Sequence, residues 1–85
     1  MVNSVVISGC YKGIENDELL LKIEGLENHQ IARIYVSKGL QDEITKHLKE
    51  NDLIGIKGYI EIDDVHRIIV IATKITFLSS KKAQN

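Results

Sequence analysis

Three histidines, one cysteine and one pair of adjacent aspartates have the chemistry to bind a metal ion or to act as a nucleophile, an acid or a base. The histidines are His29, His47 and His66. They are far apart in the sequence and lack the short spacing at which histidines share a metal ion. Cys10 is the only cysteine, so the chain can form neither an intrachain disulfide nor a cysteine-based metal site. The sequence therefore predicts no metal site.

The adjacent aspartates, Asp63 and Asp64, lie between two apolar segments, where side chains of this type favour a turn. We interpret them as turn residues rather than as paired catalytic acids. The glycines are scattered and form no phosphate-binding loop, and no nucleophile with a neighbouring base can be named. The sequence therefore predicts neither an enzyme activity nor a cofactor.

The composition indicates which scaffold positions the remaining side chains. The chain has 85 residues and a mass of 9.6 kDa, which indicates one domain. It contains 14 Ile and 6 Val, against 11 residues for Leu and Ala together. Because β-branched side chains pack well in sheets, this composition predicts a sheet-rich domain. The net charge of −1 does not by itself indicate a polyanionic partner.

Residues 2–11 form the first predicted strand, which is apolar on both faces. Val2 and Val6 lie on the face opposite to Val5 and Ile7. A strand that is apolar on both faces is either central in a sheet or faces a partner subunit. The Gly, Asn and Asp residues of the segment 12–17 predict a loop after this strand.

The next two predicted strands have one apolar face each. In residues 18–24, the predicted inward side chains are Leu19, Leu21 and Ile23. A turn is predicted over residues 25–29. In residues 30–37, Ala32, Ile34 and Val36 form one face, and the opposite face carries Ile31, Arg33, Tyr35 and Ser37.

The hydrophobic period then changes to that of a helix. Leu40, Ile44 and Leu48 recur every four residues, which predicts an amphipathic helix over residues 40–49 with Ser37 as its N-cap. Residues 53–62 form a fourth strand, whose Gly55 and Gly58 indicate a bulge or a bend. Residues 66–78 form a fifth strand.

Five strands with one helix between the third and fourth are the arrangement of an OB-fold, an all-β, five-stranded Greek-key barrel. The residues resemble bacterial single-stranded DNA-binding proteins (SSBs) and the related primosomal replication protein. The opening MVNSVVISG (residues 1–9) resembles the first strand of that family. LQDEITKHLKENDLIGIKG (residues 40–58) resembles its helix, Lys-rich turn and fourth strand, and IATKITFL (residues 71–78) resembles its last strand.

The resemblance implies that single-stranded DNA, or RNA, lies across the barrel, with phosphates on cations and bases stacked on aromatic rings. By position, the cations are Lys12 in the loop between strands one and two, Lys22 on strand two, Arg33 on strand three and Lys57 on strand four. The implied stacking residues are Tyr35 and Tyr59.

The chain differs from the SSB pattern at positions that matter for stacking. Ile31 and Ser37 stand where the family commonly carries aromatic residues, and the sequence contains no Trp. An alternative hypothesis is therefore an SSB-like protein-interaction or assembly module that has lost nucleic-acid binding or binds very weakly.

The remaining expectations concern assembly and location. The two-sided first strand predicts a homodimer or homotetramer, and the resemblance implies replication proteins as further partners. We expect an OB-fold domain over residues 1–78 and a short polar tail over residues 79–85. No segment is long and apolar enough to cross a membrane, and the N-terminus lacks the pattern of a signal peptide, so we expect a cytoplasmic protein.

Overall fold

Five strands and one helix make up the computed structural model, which describes residues 3–23, 25 and 31–80. In chain order they are β1 (Val5–Glu15), β2 (Glu18–Ile23), β3 (Ala32–Tyr35), α1 (Lys38–His47), β4 (Leu53–Ile62) and β5 (Ile68–Ser79). The strands form a closed barrel in the order β1-β2-β3-β5-β4, in which β4 pairs back to β1. Only the β3–β5 pair is parallel among the pairs of the described strands. This topology confirms the predicted OB-fold barrel.

The core of the barrel consists of side chains that alternate along the strands. Leu19 and Leu21 of β2 and Ile34 of β3 are buried, as the alternation predicts. Among the residues that the structure describes, the fully buried large side chains are Leu19, Leu21, Ile34, Val36, Ile54 and Ile56. Because β2, β3 and β4 each present one apolar face inward, their opposite faces are left to form the outer surface.

The turn between β1 and β2 is shorter than the sequence predicts. Asn16 and Asp17 have φ angles of 53° and 65°, and two successive residues with positive φ are typical of a type I′ hairpin turn. β1 therefore continues to Glu15, and the prediction of a loop over residues 12–17 is wrong.

The placement of Lys12 changes with this turn. The register of the β1–β2 ladder shifts between Tyr11 and Gly13, so Lys12 is the extra residue of a β-bulge. Gly13 has a φ of 130°, which suits a residue without a Cβ atom. Lys12 therefore lies within a strand and not in a loop.

Helix α1 closes the barrel with one apolar stripe. Ile44 is buried, and Leu40 and Leu48 pack against the core. The Ser37 hydroxyl accepts a hydrogen bond from the backbone N–H of Leu40 at 3.4 Å, which confirms the predicted N-cap. The helix spans residues 38–47 rather than 40–49, because helical geometry begins directly after the cap.

The β4–β5 hairpin contains the bulge that the glycines of β4 indicate. The register shifts between Lys57 and Gly58 and also between Leu53 and Ile54 at the other end of β4, whereas Gly55 lies in a regular part of the ladder. The turn at the end of the hairpin is held by Asp63, whose carboxylate accepts hydrogen bonds from the backbone N–H groups of Val65 and Arg67. The bond from the Arg67 N–H is the main cause that lowers the pKa of Asp63 below its ordinary value.

Some predictions concern residues outside those that the structure describes: the face of Val2, the position of His29 and the polar tail from residue 81 onward. Strand β5 ends at Ser79, one residue beyond the predicted boundary of the domain. Within the described ranges, no helix is long and apolar enough to cross a membrane.

Candidate functional site

Tyr35, Ile71 and Tyr59 lie in one row on the outer surface of the barrel. Tyr35 of β3 is in register with Ile71 of β5, which is in register with Tyr59 of β4. Because neighbouring strands are about 4.8 Å apart, the backbones of the two tyrosines are about 10 Å apart. Tyr35 is 46% exposed, and Tyr59 and Ile71 are half-buried. We call these three residues the aromatic platform.

An open groove of about 570 Å³ lies over the aromatic platform, between it and the start of α1. Ser37 and Leu40 line the helical side of this groove, and among the described residues Glu43 is the one charged residue in its lining. A surface that combines aromatic rings with an aliphatic side chain suits a planar ring, which stacks on it through dispersion and apolar contact. The lining of the groove therefore suits a planar, largely uncharged ligand group.

Two lysines lie next to the aromatic platform on the same outer surface. Lys57 precedes Tyr59 by two residues on β4, so both side chains point outward. Lys57 is in register with Lys74 of β5 on one side and with Val6 of β1 on the other. Both lysines are exposed, and neither forms an ion pair with another of the described residues. We call Lys57 and Lys74 the lysine pair.

Sequence reasoning missed Lys74 because a bulge reverses the alternation of β5. Lys57 pairs with Lys74 and Gly58 pairs with Ala72, which leaves Thr73 as an extra residue. Ala72 before the bulge is buried, and Ile75 after it packs against the core, so the inward parity changes between them. A simple period of two from Ala72 would place Lys74 inside the barrel. Only the paired glycine on β4 signals that the alternation breaks here.

Arg33 lies beside the aromatic platform but is held by two carboxylates. Its Nη2 lies 2.8 Å from Oε1 of Glu15, and its Nη1 lies 3.2 Å from Oε1 of Glu18. Hydrogen bonds to Glu15, which has the larger effect, and to Glu18 raise the pKa of Arg33 above its ordinary value. Glu15 and Glu18 face each other across the β1–β2 ladder, and Glu18 is in register with Tyr35. The carboxylates of Glu15 and Glu18 therefore offset the positive charge of Arg33 beside the aromatic platform.

The other two predicted cations lie away from the aromatic platform. Nζ of Lys12 donates a hydrogen bond to the Asn51 side chain in the connection between α1 and β4. Lys22 is in register with Cys10 of β1. It lies four residues along β2 from Glu18, a distance of about 13 Å. The structure therefore brings together Tyr35, Tyr59 and Lys57 and keeps Lys12 and Lys22 apart from them.

No protein-family model matches this chain, and no curated protein sequence matches it. Solved structures do match. In one crystal structure, the mitochondrial single-stranded DNA-binding protein Rim1 of S. cerevisiae has a TM-score of 0.76 at 12% identity, over 94% of this chain and 97% of that chain. In another, Rim1 has a TM-score of 0.74 at 14% identity, over 94% of this chain and 99% of that chain.

A second kind of similar structure is OBody AM3L09, solved bound to hen egg-white lysozyme. It has a TM-score of 0.64 at 21% identity, over 91% of this chain and 82% of that chain. Identities this low show a common fold and not a common function. The chain therefore has the same barrel as Rim1 and the OBody, while its membership of the bacterial SSB family stays a prediction.

Proposed function

We propose that this protein binds single-stranded DNA without sequence preference, with bases stacked on Tyr35 and Tyr59 and phosphates held by neighbouring cations. The observation that carries this proposal is the row formed by the two tyrosines around Ile71, with Lys57 beside it. Stacking tolerates any base because every base has a π-face. The similar fold of Rim1, a single-stranded DNA-binding protein, supports the proposal. A role in replication, recombination or repair follows from such binding.

The predicted cations contribute to different degrees in this proposal. Lys57 contacts the phosphate nearest to the aromatic platform. Arg33 contacts a phosphate only when it exchanges its carboxylate partners for the ligand. Lys12 and Lys22 contact only a longer strand, one that continues past Lys57 onto β1 and β2.

The direct test is the fluorescence anisotropy of a labelled oligo-dT strand titrated with the protein at low and at moderate salt. We expect micromolar or tighter binding that weakens linearly in log salt, with a slope set by the number of phosphates contacted. Duplex DNA is the control and is expected not to bind. An oligo-U strand shows whether RNA binds equally well. Absence of binding at low salt would overturn the proposal.

The second candidate function is a protein-interaction module, and two observations favour it. Glu15 and Glu18 make the surface beside Tyr35 less attractive to phosphates. A barrel of the same fold, the OBody, is bound to a protein, lysozyme. This function gives no DNA binding at any salt concentration, so the same titration separates the two candidates.

Replacing Glu15 by Gln is expected to strengthen the binding of oligo-dT, by less than about tenfold. The substitution removes one of the two carboxylates that hold Arg33, so the guanidinium becomes more available to a phosphate. Anisotropy at low salt measures the effect. Glu50→Gln is the matched control, because Glu50 is exposed in the turn after α1 and the change of charge is the same. Equal effects of the two variants would show that Arg33 takes no part.

We further propose that the protein forms a homodimer or homotetramer through the outer face of β1. Val6 on this face is 79% exposed, and burying an apolar side chain of this size is favourable. Val6→Ser is expected to shift the protein toward monomer in multi-angle light scattering at micromolar concentration. The exposed Val65→Ser, at the tip of the β4–β5 hairpin, is the control. A wild-type monomer at that concentration would contradict the proposal.

A further inference from the structure

We infer that Lys57 and Lys74 form a phosphate-binding subsite, which leads the nucleic-acid strand from the aromatic platform over the outer face of β4 and β5. This inference rests on the proposed binding of single-stranded nucleic acid and deepens it. It assigns a binding role to Lys74 and gives the strand a path away from Glu15 and Glu18 at the β1–β2 turn.

The backbone fixes the two lysines next to each other. They are directly opposite in the antiparallel β4–β5 ladder, which places their Cβ atoms about 5 Å apart. A hydrogen bond stabilises the bulge that turns Lys74 outward, because the Thr73 hydroxyl donates to the Lys57 carbonyl at 3.1 Å. The two ammonium groups therefore project from one rigid part of the surface.

The charges of the lysine pair are not balanced by the described residues. Like charges directly opposite each other in a ladder destabilise the pair, and an anion between them relieves that repulsion. Lys57 faces the aliphatic Val6 on its other side. Glu43 lines a groove together with Lys74, but no ion pair joins these two side chains. This surface is therefore suited to an external anion.

The lysine pair is also well placed for the phosphates of a strand whose bases stack on the aromatic platform. Lys57 lies two residues from Tyr59 on one face of β4, a separation of about 7 Å along the strand. On the other side of the platform, Tyr35 neighbours Glu18, which repels phosphates. The electrostatic asymmetry directs the strand from Tyr35 past Tyr59 toward Lys74.

A polyanion fits the lysine pair better than a second copy of the chain. A symmetric contact centred on β4 and β5 would bring four ammonium groups together, and such like-charge juxtaposition is unfavourable at an interface. The proposed homo-oligomer contact at Val6 of β1 therefore leaves Lys57 and Lys74 at its edge, open to the ligand. A nucleic-acid backbone instead offers successive negative charges and releases counterions when lysines neutralise them.

The test compares the double variant Lys57→Ala, Lys74→Ala with the wild type in oligo-dT titrations over a series of salt concentrations. Each lost phosphate contact lowers the slope of log affinity against log salt by about 0.7 for a single strand. We therefore expect a fall of roughly 1.4 in the slope of the double variant. The control is Lys46→Ala on α1, which removes an exposed lysine outside the groove that Lys74 lines and should leave the slope unchanged. Circular dichroism verifies that every variant is folded.

The outcomes separate this inference from the proposed function. If the wild type binds and the double variant keeps the wild-type slope, the lysine pair is not a phosphate subsite, although the protein still binds DNA. If the Lys46 variant loses half as much slope as the double variant, the binding is diffuse and the inference is also overturned. If the wild type does not bind at low salt, both the inference and the proposed function fail.

Discussion

Replacing Gly58 by alanine is expected to destabilise the barrel by about 2–4 kcal/mol, a large fraction of the stability of a small domain. A Cβ atom at Gly58 would overlap the carbonyl oxygen of Ile71 and lie 2.9 Å from its carbonyl carbon. These are backbone atoms, so no rotation of a side chain relieves the overlap. Strands β4 and β5 must separate locally, which weakens the ladder that holds Tyr59 beside Ile71.

Gly55→Ala is the matched control for this prediction. Gly55 lies three residues earlier on the same strand, where a Cβ atom would meet only Cδ1 of Leu78 at 3.7 Å, an ordinary van der Waals distance. Alanine also reduces the conformational entropy of the unfolded chain, so the free energy of unfolding should stay equal or rise by up to about 1 kcal/mol. Urea unfolding followed by circular dichroism measures both variants. Equal midpoints for the two variants would contradict the close approach of β4 to β5 at Gly58.

Features that depend on local patterns could be predicted from the sequence. The alternation in β2 and β3 identifies Leu19, Leu21 and Ile34 as core residues, because the pleat of a strand fixes the face of every second residue. Ser37 is recognisable as the N-cap because a hydroxyl directly before a helix bonds to its free N–H groups. The order of the elements, together with the resemblance to the SSB family, was enough to predict the barrel.

The arrangement of the candidate site depends on contacts between residues that are distant in sequence. Tyr35 and Tyr59 share a row only because β5 pairs with β3 on one side and with β4 on the other. The carboxylates of Glu15 and Glu18 reach Arg33 because the hairpin turn between them is only two residues long. The sequence predicts a longer loop at this place. The alternation within one strand determines neither its register with the neighbouring strands nor the length of the turn that follows it.

The bulges explain the remaining differences. Each bulge adds one residue to a strand and reverses the faces beyond it. One bulge moves Lys12 from a predicted loop into β1. A second bulge, opposite Lys57 and Gly58, turns Lys74 to the outer surface beside Lys57. Gly13 and Gly58 indicate that the ladder is irregular at these two places. They do not indicate which of the two paired strands carries the extra residue.

The double variant Tyr35→Ala, Tyr59→Ala is expected to show the largest loss of affinity for oligo-dT of any variant on the outer surface. One stacked base contributes about 1–3 kcal/mol, so two lost rings correspond to roughly 2–6 kcal/mol, or at least about a 30-fold increase in Kd. Tyr35 is 46% exposed and Tyr59 is half-buried, and neither belongs to the core cluster. The fold should therefore survive the change, and anisotropy at constant low salt measures the loss.

The variant Tyr35→Phe, Tyr59→Phe separates stacking from hydrogen bonding. It keeps both rings and removes only the hydroxyl groups, so its affinity should remain within a few-fold of the wild type if the bases stack, since stacking depends on the π-face. A phenylalanine variant as weak as the alanine variant would show that the hydroxyls bind the ligand instead. Because Tyr35 and Tyr59 flank the same Ile71, the two single alanine variants should also be measured. Two single losses that add up to the double loss indicate that each ring stacks its own base, whereas a double loss no larger than either single loss indicates one base held between both rings.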